Sequence, residues 1–403
     1  MLPEPRLRPT GPAEESPLRS AGSGATCGAA PRTRFRRQPL HRASGRLAAT
    51  EIHGGAAMPA ETPPGSATCS ARSCLLLLLA LSDPLLGQKL VEGSIVSELV
   101  PGPVEYYALL PPGYVTEQGA EHGAEPLPLV LNLHGGGGSR EVLKRQQPIF
   151  ERLWASGELP PLVIVTPSVT PRCFYMDFED GSERWESFLV GPFLEHLRGR
   201  FAVRSDRRGT LVTGISMGGM GSLRLAFKHP QLFGAVAAME PGIEPIDDWS
   251  DMRPKHRFWR ADELMQSAYG APVDREYWNA NNPATIAQRR AAELRDAGLR
   301  IFLEAGDEDL FWLYEGAEFL HQVLWRERIR HEYHLYLGAE HVGRTLGPRT
   351  EVAYRFLAAG LSDPEPDPAV AAARRRIDPL KRRLDEADHY GVDAELVGSS
   401  PPP

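Results

Sequence analysis

Short apolar segments alternate with longer amphipathic segments between residues 93 and 360. The short segments are rich in Val, Ile and Leu, as in buried parallel strands, whereas the longer ones repeat apolar residues at helical spacing. This alternation predicts an α/β fold with a mostly parallel central sheet and helices on both faces. The predicted strands are 127–133, 161–166, 210–214, 235–239, 300–304 and 332–337.

Helical periodicity is clearest in the segment that follows Arg184. Its apolar residues fall at steps of three or four, so they share one face that is expected to pack on the sheet. These residues are Trp185, Phe188, Leu189, Phe193, Leu194, Leu197 and Phe201. Further helices are predicted over 217–229, 283–297, 314–328 and 349–358.

Residues 1–57 differ from the rest of the chain. They carry nine Arg and four acids, are rich in Pro, Gly, Ala and Ser, and show no apolar periodicity. Such a segment buries too little apolar surface to offset the entropy lost on ordering, so we predict a disordered, Arg-rich head. At the other end, residues 361–403 are predicted to form a Pro-rich linker followed by a helix over 369–389.

A run of leucines at 75–79 is too short to cross a bilayer, but it suits the apolar centre of a signal peptide. One hypothesis is that translation starts at Met58, so that the head is untranslated, residues 58–87 are a signal peptide, and the protein is secreted or periplasmic. The alternative is a soluble cytoplasmic protein in which a disordered extension precedes a buried apolar segment. N-terminal sequencing of the mature protein distinguishes the two.

Composition narrows the class of protein. Hydrophobic residues make up 42% and charged residues 24% of the chain, as in soluble globular proteins, and no integral membrane span is predicted. The net charge of −7 lacks the basic excess of nucleic-acid-binding proteins, so nucleic acid is not an expected partner. The four cysteines have the spacing neither of a disulfide framework nor of a zinc site.

The most informative motif is Gly214-Ile-Ser-Met-Gly218, which matches Gly-x-Ser-x-Gly. A predicted strand precedes it and a predicted helix follows it, as a nucleophile elbow requires. The turn in such an elbow is sharp, and the flanking glycines keep side chains out of it. We therefore predict that Ser216 is a catalytic nucleophile; the alternative is an ordinary turn with a serine that caps the helix.

A glycine run, His134-Gly-Gly-Gly-Gly138, ends the strand upstream of the elbow. Hydrolases of this type place an oxyanion loop there, because unobstructed backbone N–H groups have to point at the substrate. The predicted donors are the N–H groups of Met217 and Gly136. A flexible surface turn is the alternative, and the residues that follow the glycines do not fit a phosphate-binding P-loop.

A serine nucleophile needs a base and an acid that orients the base, in the chain order Ser, Asp or Glu, His for this fold class. The strand 300–304 is followed by three candidate acids, Asp307, Glu308 and Asp309, and the strand 332–337 is followed by His341. Both loops are expected at the carboxyl edge of the sheet, where such sheets bind ligands. The remaining histidines show no metal-ligand spacing, so no metal and no organic cofactor is predicted.

The region 93–360 resembles the putative esterase family of α/β-hydrolases, which includes esterase D (S-formylglutathione hydrolase), feruloyl esterase domains and the mycolyltransferases. The resemblance implies an α/β-hydrolase fold, Asp309 as the acid in preference to Asp307, and an acyl or alcohol pocket bordered by the segment from Tyr175 to Trp185. Core packing of the aromatic residues in this segment is the alternative, and it is preferred for Trp185. The segments that carry it are Tyr107–Tyr114, His134–Gly136, Phe174–Asp177, Arg184–Leu189, Gly214–Gly219, Gly306–Asp309 and Glu340–His341.

Two features depart from that family. Relatives usually place a small Ser-Gly pair after the strand that follows the elbow, where this chain has Glu240, a candidate either for substrate binding or for an ion pair with a neighbour. Residues 243–282, which contain Trp249, Trp259 and Trp278, are predicted to form a lid-like loop whose aromatic side chains select the substrate.

These residues predict a serine esterase that hydrolyses small-molecule carboxylic esters, of small-acyl, feruloyl or thioester type, through an acyl-enzyme. Three alternatives remain: acyl transfer to a sugar or lipid alcohol, a non-catalytic binding protein that kept the fold, and peptidase activity. The sequence determines neither the substrate nor the oligomeric state.

Overall fold

The computed structural model describes residues 89–114, 125–256, 260–362 and 367–390. The predicted head (1–57), the predicted signal peptide (58–87) and Trp259 lie outside these residues. No helix in the described ranges combines the length and the apolar character needed to span a bilayer.

The core of the fold is one eight-stranded sheet with the strand order β1-β2-β4-β3-β5-β6-β7-β8. Among the eight strands of this sheet, only β2 runs opposite to the others, so the predicted, mostly parallel sheet is confirmed. The strands are β1 (Lys89–Val96), β2 (Pro103–Leu110), β3 (Leu129–Leu133), β4 (Val163–Pro167), β5 (Thr210–Ile215), β6 (Ala235–Met239), β7 (Arg300–Gly306) and β8 (Glu332–Tyr336).

The first two strands were not predicted. β1 lies at the sheet edge, where its exposed residues alternate mainly with half-buried ones, and it does not form an apolar run. The domain thus begins at Lys89 or earlier, and the predicted boundary at residue 93 falls inside β1.

Helices cover both faces of the sheet and bury two apolar clusters against it. One cluster includes side chains of α1 and α10, and the other includes side chains of α2–α4 and α7–α9. The helices are α1 (Glu141–Ala155), α2 (Trp185–Phe188), α3 (Leu194–Arg200), α4 (Met217–Lys228), α5 (Asp262–Tyr269), α6 (Arg275–Asn281), α7 (Pro283–Arg289), α8 (Ala291–Ala297), α9 (Leu313–Arg326), α10 (Leu346–Ala359) and α11 (Pro368–Tyr390).

Several helices differ from their predicted form. A π-helical turn, Leu189–Phe193, joins α2 to α3 and contains Pro192, whose missing N–H cannot support α-helical bonding. The predicted helix 283–297 is interrupted at Arg290, which separates α7 from α8. Helix α1 was not predicted.

The segment predicted as a lid-like loop contains two helices, α5 and α6. Its Trp278 is 1% exposed and packs against Trp249 at a ring-centroid distance of 5.6 Å. Trp278 is therefore part of the hydrophobic core, and the expectation that it selects substrate is wrong.

Arg224 lies on α4 and anchors residues 243–282 to that helix. Its guanidinium is fully buried and donates to the Asn281 carbonyl at 2.8 Å, to the Tyr269 hydroxyl at 3.3 Å and to the Phe174 carbonyl. One side chain thus satisfies polar groups from three separate segments.

We expect Arg224→Met to lower the free energy of unfolding by about 3 kcal/mol, because it leaves buried polar groups without donors. Urea denaturation measures the change. Arg295→Met is the control, since Arg295 is exposed on α8, and it should alter stability by less than about 0.5 kcal/mol. Equal stability of the two variants would contradict the anchoring role of Arg224.

Candidate active site

Ser216 lies at the junction of β5 and α4, in the turn predicted as an elbow. Its backbone has φ 58° and ψ −116°, a combination that non-glycine residues rarely adopt. The Ser216 N–H donates to Met239 O at 2.9 Å, and its carbonyl accepts from the Gly242 N–H at 3.1 Å. The start of the segment after β6 therefore holds the turn, and the serine side chain stays partly exposed at the carboxyl edge of the sheet.

Two glycines of the motif are required by close backbone packing. A Cβ atom on Gly214 would collide with the backbone of Gly218, and one on Gly218 would collide with the Leu133 carbonyl. The elbow consequently sits directly against the end of β3, where the glycine loop begins.

His341 and Asp309 form a hydrogen-bonded pair at the same edge. His341 Nδ1 donates to Asp309 Oδ2 at 2.7 Å, and both residues are buried. Asp309 Oδ1 accepts from the Phe311 N–H at 2.5 Å. Burial is the largest single influence and raises the pKa of Asp309, but the hydrogen bond and the charge of His341, together with the Phe311 N–H, outweigh it and hold that pKa below its usual value.

Asp307, the rival acid, points elsewhere. Its Oδ1 accepts from the Gly338 N–H at 2.6 Å, across the turn after β8, and the residue is exposed. The structure thus brings Asp309, and not Asp307, to His341.

The Ser216 hydroxyl makes no hydrogen bond within the described part of the chain. His341 Nε2, the atom that would accept its proton, lies on the ring edge away from Asp309.

The glycine loop is stabilised by the side chain that begins it. His134 Nε2 lies 3.3 Å from the Val169 N–H, which can only donate, so the ring proton is on Nδ1, from which it is donated to Gly135 O at 2.8 Å. Burial lowers the pKa of His134, in keeping with a neutral ring.

Tyr175 lies beneath this loop. The side chain is fully buried, and its hydroxyl donates to the His134 carbonyl at 2.8 Å. Phe174 and Tyr175 both have positive φ values, 48° and 55°, which turn the chain under the loop. The resemblance implied that Tyr175 borders a substrate pocket, but here its contacts are with the loop and with α4.

The Met217 and Gly136 N–H groups were predicted as oxyanion donors. Within the described residues neither donates to another protein group. The loop and the elbow are adjacent, since a Cβ on Gly135 would lie 3.5 Å from Ser216 Cβ. Both N–H groups therefore belong to backbone that meets beside the serine.

A family model described as "Putative esterase" matches residues 97–343, more than half of the chain. The chain belongs to this family. Membership confirms the predicted family.

Curated relatives of this esterase-family chain match it only in part. An esterase of Mycobacterium tuberculosis (strain ATCC 25618 / H37Rv) is 27% identical over 187 residues, which are 44% of this chain and 38% of the relative. An acetyl esterase of Caldicellulosiruptor saccharolyticus is 31% identical over 70 residues, 17% of this chain and 26% of the relative. The chain spans about two fifths of the length of the mycobacterial esterase.

Solved structures confirm the α/β-hydrolase fold of the esterase chain. A ferulic acid esterase superposes with a TM-score of 0.55 at 20% identity, covering 68% of this chain and 99% of its own. An S-formylglutathione hydrolase from Agrobacterium tumefaciens superposes with a TM-score of 0.54 at 18% identity, covering 69% of this chain and 97% of its own.

Glu240 lies behind the site of the esterase chain and is fully buried. Its Oε1 accepts from Arg349 Nη1 at 2.5 Å and from the Gly306 N–H at 2.8 Å. Arg349 Nη1 also donates to Glu304 Oε2 at 2.8 Å, and Arg349 Nη2 donates to the Glu340 carbonyl at 2.6 Å. Glu240 thus contacts a neighbouring cation, which was the alternative to substrate binding, and this contact ties it to the backbone beside His341.

Glu240, Asp309 and His341 bring three potential metal-binding atoms within 4.8 Å of one another. Two of these side chains already bond to each other, and Glu240 binds the Arg349 guanidinium, whose positive charge opposes a second cation. The donor set therefore fits a hydrogen-bonded network better than a metal site.

Sequence reasoning missed Glu304 and Arg349 in the esterase chain. Glu304 carries a signal, because it sits inside a fully buried stretch of β7 and a buried carboxylate requires a partner. The choice of Arg349 among the arginines of the chain could not be made, because its partners are 45 and 109 residues away.

Proposed function

We propose that this protein is a serine esterase in which Ser216, His341 and Asp309 act as nucleophile, base and orienting acid. The observation that carries the proposal is the His341 Nδ1 to Asp309 Oδ2 hydrogen bond at the sheet edge that carries the Ser216 elbow. This contact favours the tautomer with its proton on Nδ1, in which the Nε2 lone pair is available as a base.

In the first step Nε2 of His341 takes the Ser216 proton while Oγ attacks the ester carbonyl carbon. Negative charge moves to the carbonyl oxygen, where the N–H groups of Met217 and Gly136 donate to it. Collapse of the tetrahedral intermediate breaks the bond to the alkoxy oxygen. His341 returns the proton to that oxygen, the alcohol leaves, and Ser216 stays acylated.

In the second step water attacks the acyl-enzyme and His341 accepts its proton. Asp309 remains ionised throughout and stabilises the imidazolium that forms in each step. Its lowered pKa suits that role. The acid is released and Ser216 regains its proton.

Hydrolysis of p-nitrophenyl acetate and butyrate, with labelling by a fluorophosphonate, tests the proposal. We expect turnover of both esters and a single phosphonylated residue, Ser216. Feruloyl, acetyl-sugar and thioester substrates then rank the acyl groups, and added alcohol distinguishes acyl transfer from hydrolysis by its products. A folded protein that neither turns over esters nor reacts with the fluorophosphonate is a non-catalytic member of the family.

Tyr175→Phe should lower kcat about tenfold with little change in KM, since one lost hydrogen bond to the His134 carbonyl loosens the loop that carries Gly136. Steady-state kinetics on p-nitrophenyl butyrate measure it. Tyr354→Phe is the matched control, because the buried Tyr354 hydroxyl lacks a hydrogen-bond partner in the described chain and should be dispensable. Equal kcat in both variants would contradict the supporting role.

A further inference from the structure

Three carboxyl groups and one guanidinium are buried together behind His341. Glu240 and Glu304 both accept from Arg349 Nη1, and Asp309 accepts from His341. The side chains of all four charged residues are at most 2% exposed. Three ionised acids beside one guanidinium would leave excess negative charge in a region of low dielectric, so one of the acids is expected to hold a proton.

The contacts of Glu240 indicate that this residue is the acid that holds the proton. Oε1 is occupied by Arg349 and the Gly306 N–H. Oε2 is buried, and no hydrogen-bond donor reaches it within the described residues. The Asp309 carboxylate lies within hydrogen-bonding reach of the Glu240 carboxyl group. Two carboxylates repel each other at such a distance, whereas a carboxylic acid can donate to a carboxylate.

The backbone holds Glu240 in this orientation. Its φ is 42°, in the left-handed region that favours glycine, and its N–H donates to Glu304 O at 3.0 Å. A non-glycine residue there is strained, and the surrounding bonds must offset the strain. The side chain is therefore aimed at Asp309 by a constrained main chain.

The titration behaviour of the cluster agrees with this arrangement. Burial first, and the charge of Glu304 second, raise the pKa of Glu240 to about 9 in spite of Arg349. Burial also raises the pKa of Glu304. The pKa of Asp309 is lowered, in part by the hydrogen bond from Glu240. At neutral pH Glu240 is accordingly neutral and Asp309 ionised.

We propose that Glu240 is a positioning residue, a neutral carboxylic acid whose Oε2–H donates to Asp309 and fixes the carboxylate against His341. The proposal rests on the proposed roles of Ser216, His341 and Asp309. The series of hydrogen bonds then runs from His341 through Asp309 to Glu240. Arg349 donates to the other oxygen of Glu240.

A donated proton also changes the basicity of Asp309. A carboxylate that accepts from Glu240 attracts the imidazolium less strongly than one that does not. Removal of the donor should therefore move the acid limb of the kcat/KM profile to higher pH. Were Glu240 ionised instead, removal of its negative charge would move that limb to lower pH. The ionisable or charged groups that surround Glu240 are Glu304, Asp309, Tyr333, His341 and Arg349.

Two substitutions of Glu240 and one control test the proposal in the full chain. Glu240→Gln keeps an acceptor for the Gly306 N–H and supplies an N–H to Asp309, so we expect kcat within about threefold of wild type and an unmoved acid limb. Glu240→Leu removes the donor, and we expect kcat to fall about tenfold to a hundredfold, little change in KM, and an acid limb about one pH unit higher. Glu304→Gln also changes a contact of Arg349 but leaves the donor to Asp309 in place, so we expect kcat within about threefold of wild type and an acid limb that moves only to lower pH, because the charge of Glu304 acts on His341.

Either of two results would overturn the proposal: an acid limb that moves to lower pH in Glu240→Gln, or equal losses in Glu240→Leu and Glu304→Gln. A second readout does not need turnover. The downfield NMR resonance of the His341 Nδ1–H should persist unshifted in Glu240→Gln and Glu304→Gln, and should shift or broaden in Glu240→Leu. If the wild type is inactive but the NMR resonance behaves in this way, only the proposed function is refuted. If the wild type is active but the NMR resonance does not behave in this way, only the positioning role of Glu240 is refuted.

Discussion

Ser216→Ala lowers the kcat for p-nitrophenyl butyrate by about 10⁴- to 10⁶-fold, the largest loss we expect from any single substitution in this chain. Without Oγ no acyl-enzyme forms, and only the oxyanion donors and substrate binding remain to accelerate direct attack by water. Rapid kinetics on the wild type should show a burst of p-nitrophenol that the variant lacks.

Ser222→Ala is the matched control for this experiment. Ser222 lies on α4, the helix that begins directly after Ser216. It is fully buried and donates its hydroxyl proton to Gly219 O at 2.8 Å. We expect its loss to affect stability slightly and kcat by less than about threefold, since it lies away from the reacting atoms. Comparable activity of Ser216→Ala and the wild type would identify another nucleophile or a different chemistry.

Asp309→Asn should lower kcat by about 10⁴-fold. An asparagine amide can donate to His341 Nδ1, which favours the imidazole tautomer with its proton on Nε2, and that ring cannot accept the proton of Ser216. The ring geometry would stay intact, so substrate binding and KM should change little. Steady-state kinetics and circular dichroism of the folded variant measure both expectations.

Asp307→Asn separates the two candidate acids. An asparagine there still accepts from the Gly338 N–H through its amide oxygen, so the turn after β8 is preserved. We expect kcat within about threefold of wild type. A larger loss in Asp307→Asn than in Asp309→Asn would reverse the assignment made from the contact between Asp309 and His341.

The parts of the site that could be predicted from sequence are local. The elbow follows from five adjacent residues, because the sharp turn demands glycine at two of them and the flanking strand and helix show their own periodicity. His341 could be predicted for a similar reason, since a loop after a parallel strand ends at the ligand-binding edge of the sheet.

The parts that could not be predicted depend on distant packing. Arg349 meets Glu240 across 109 residues, and no spacing rule selects that pair. The choice of Asp309 over Asp307 came from the family resemblance, because both follow the same strand and differ only in how the loop turns. Tyr175 was expected at the substrate, but two successive left-handed residues direct its side chain under the glycine loop.

Helix α4, which begins directly after Ser216, is buried along nearly its whole length, from Met217 to Phe227. Amide hydrogens in such an element exchange with deuterium only when the domain opens as a whole, whereas partly exposed helices exchange through local fraying. The backbone that carries the proposed nucleophile therefore belongs to the slowest-exchanging part of the molecule. Heating should abolish esterase activity and the protection of α4 amides at the same temperature, with no inactive folded form between them.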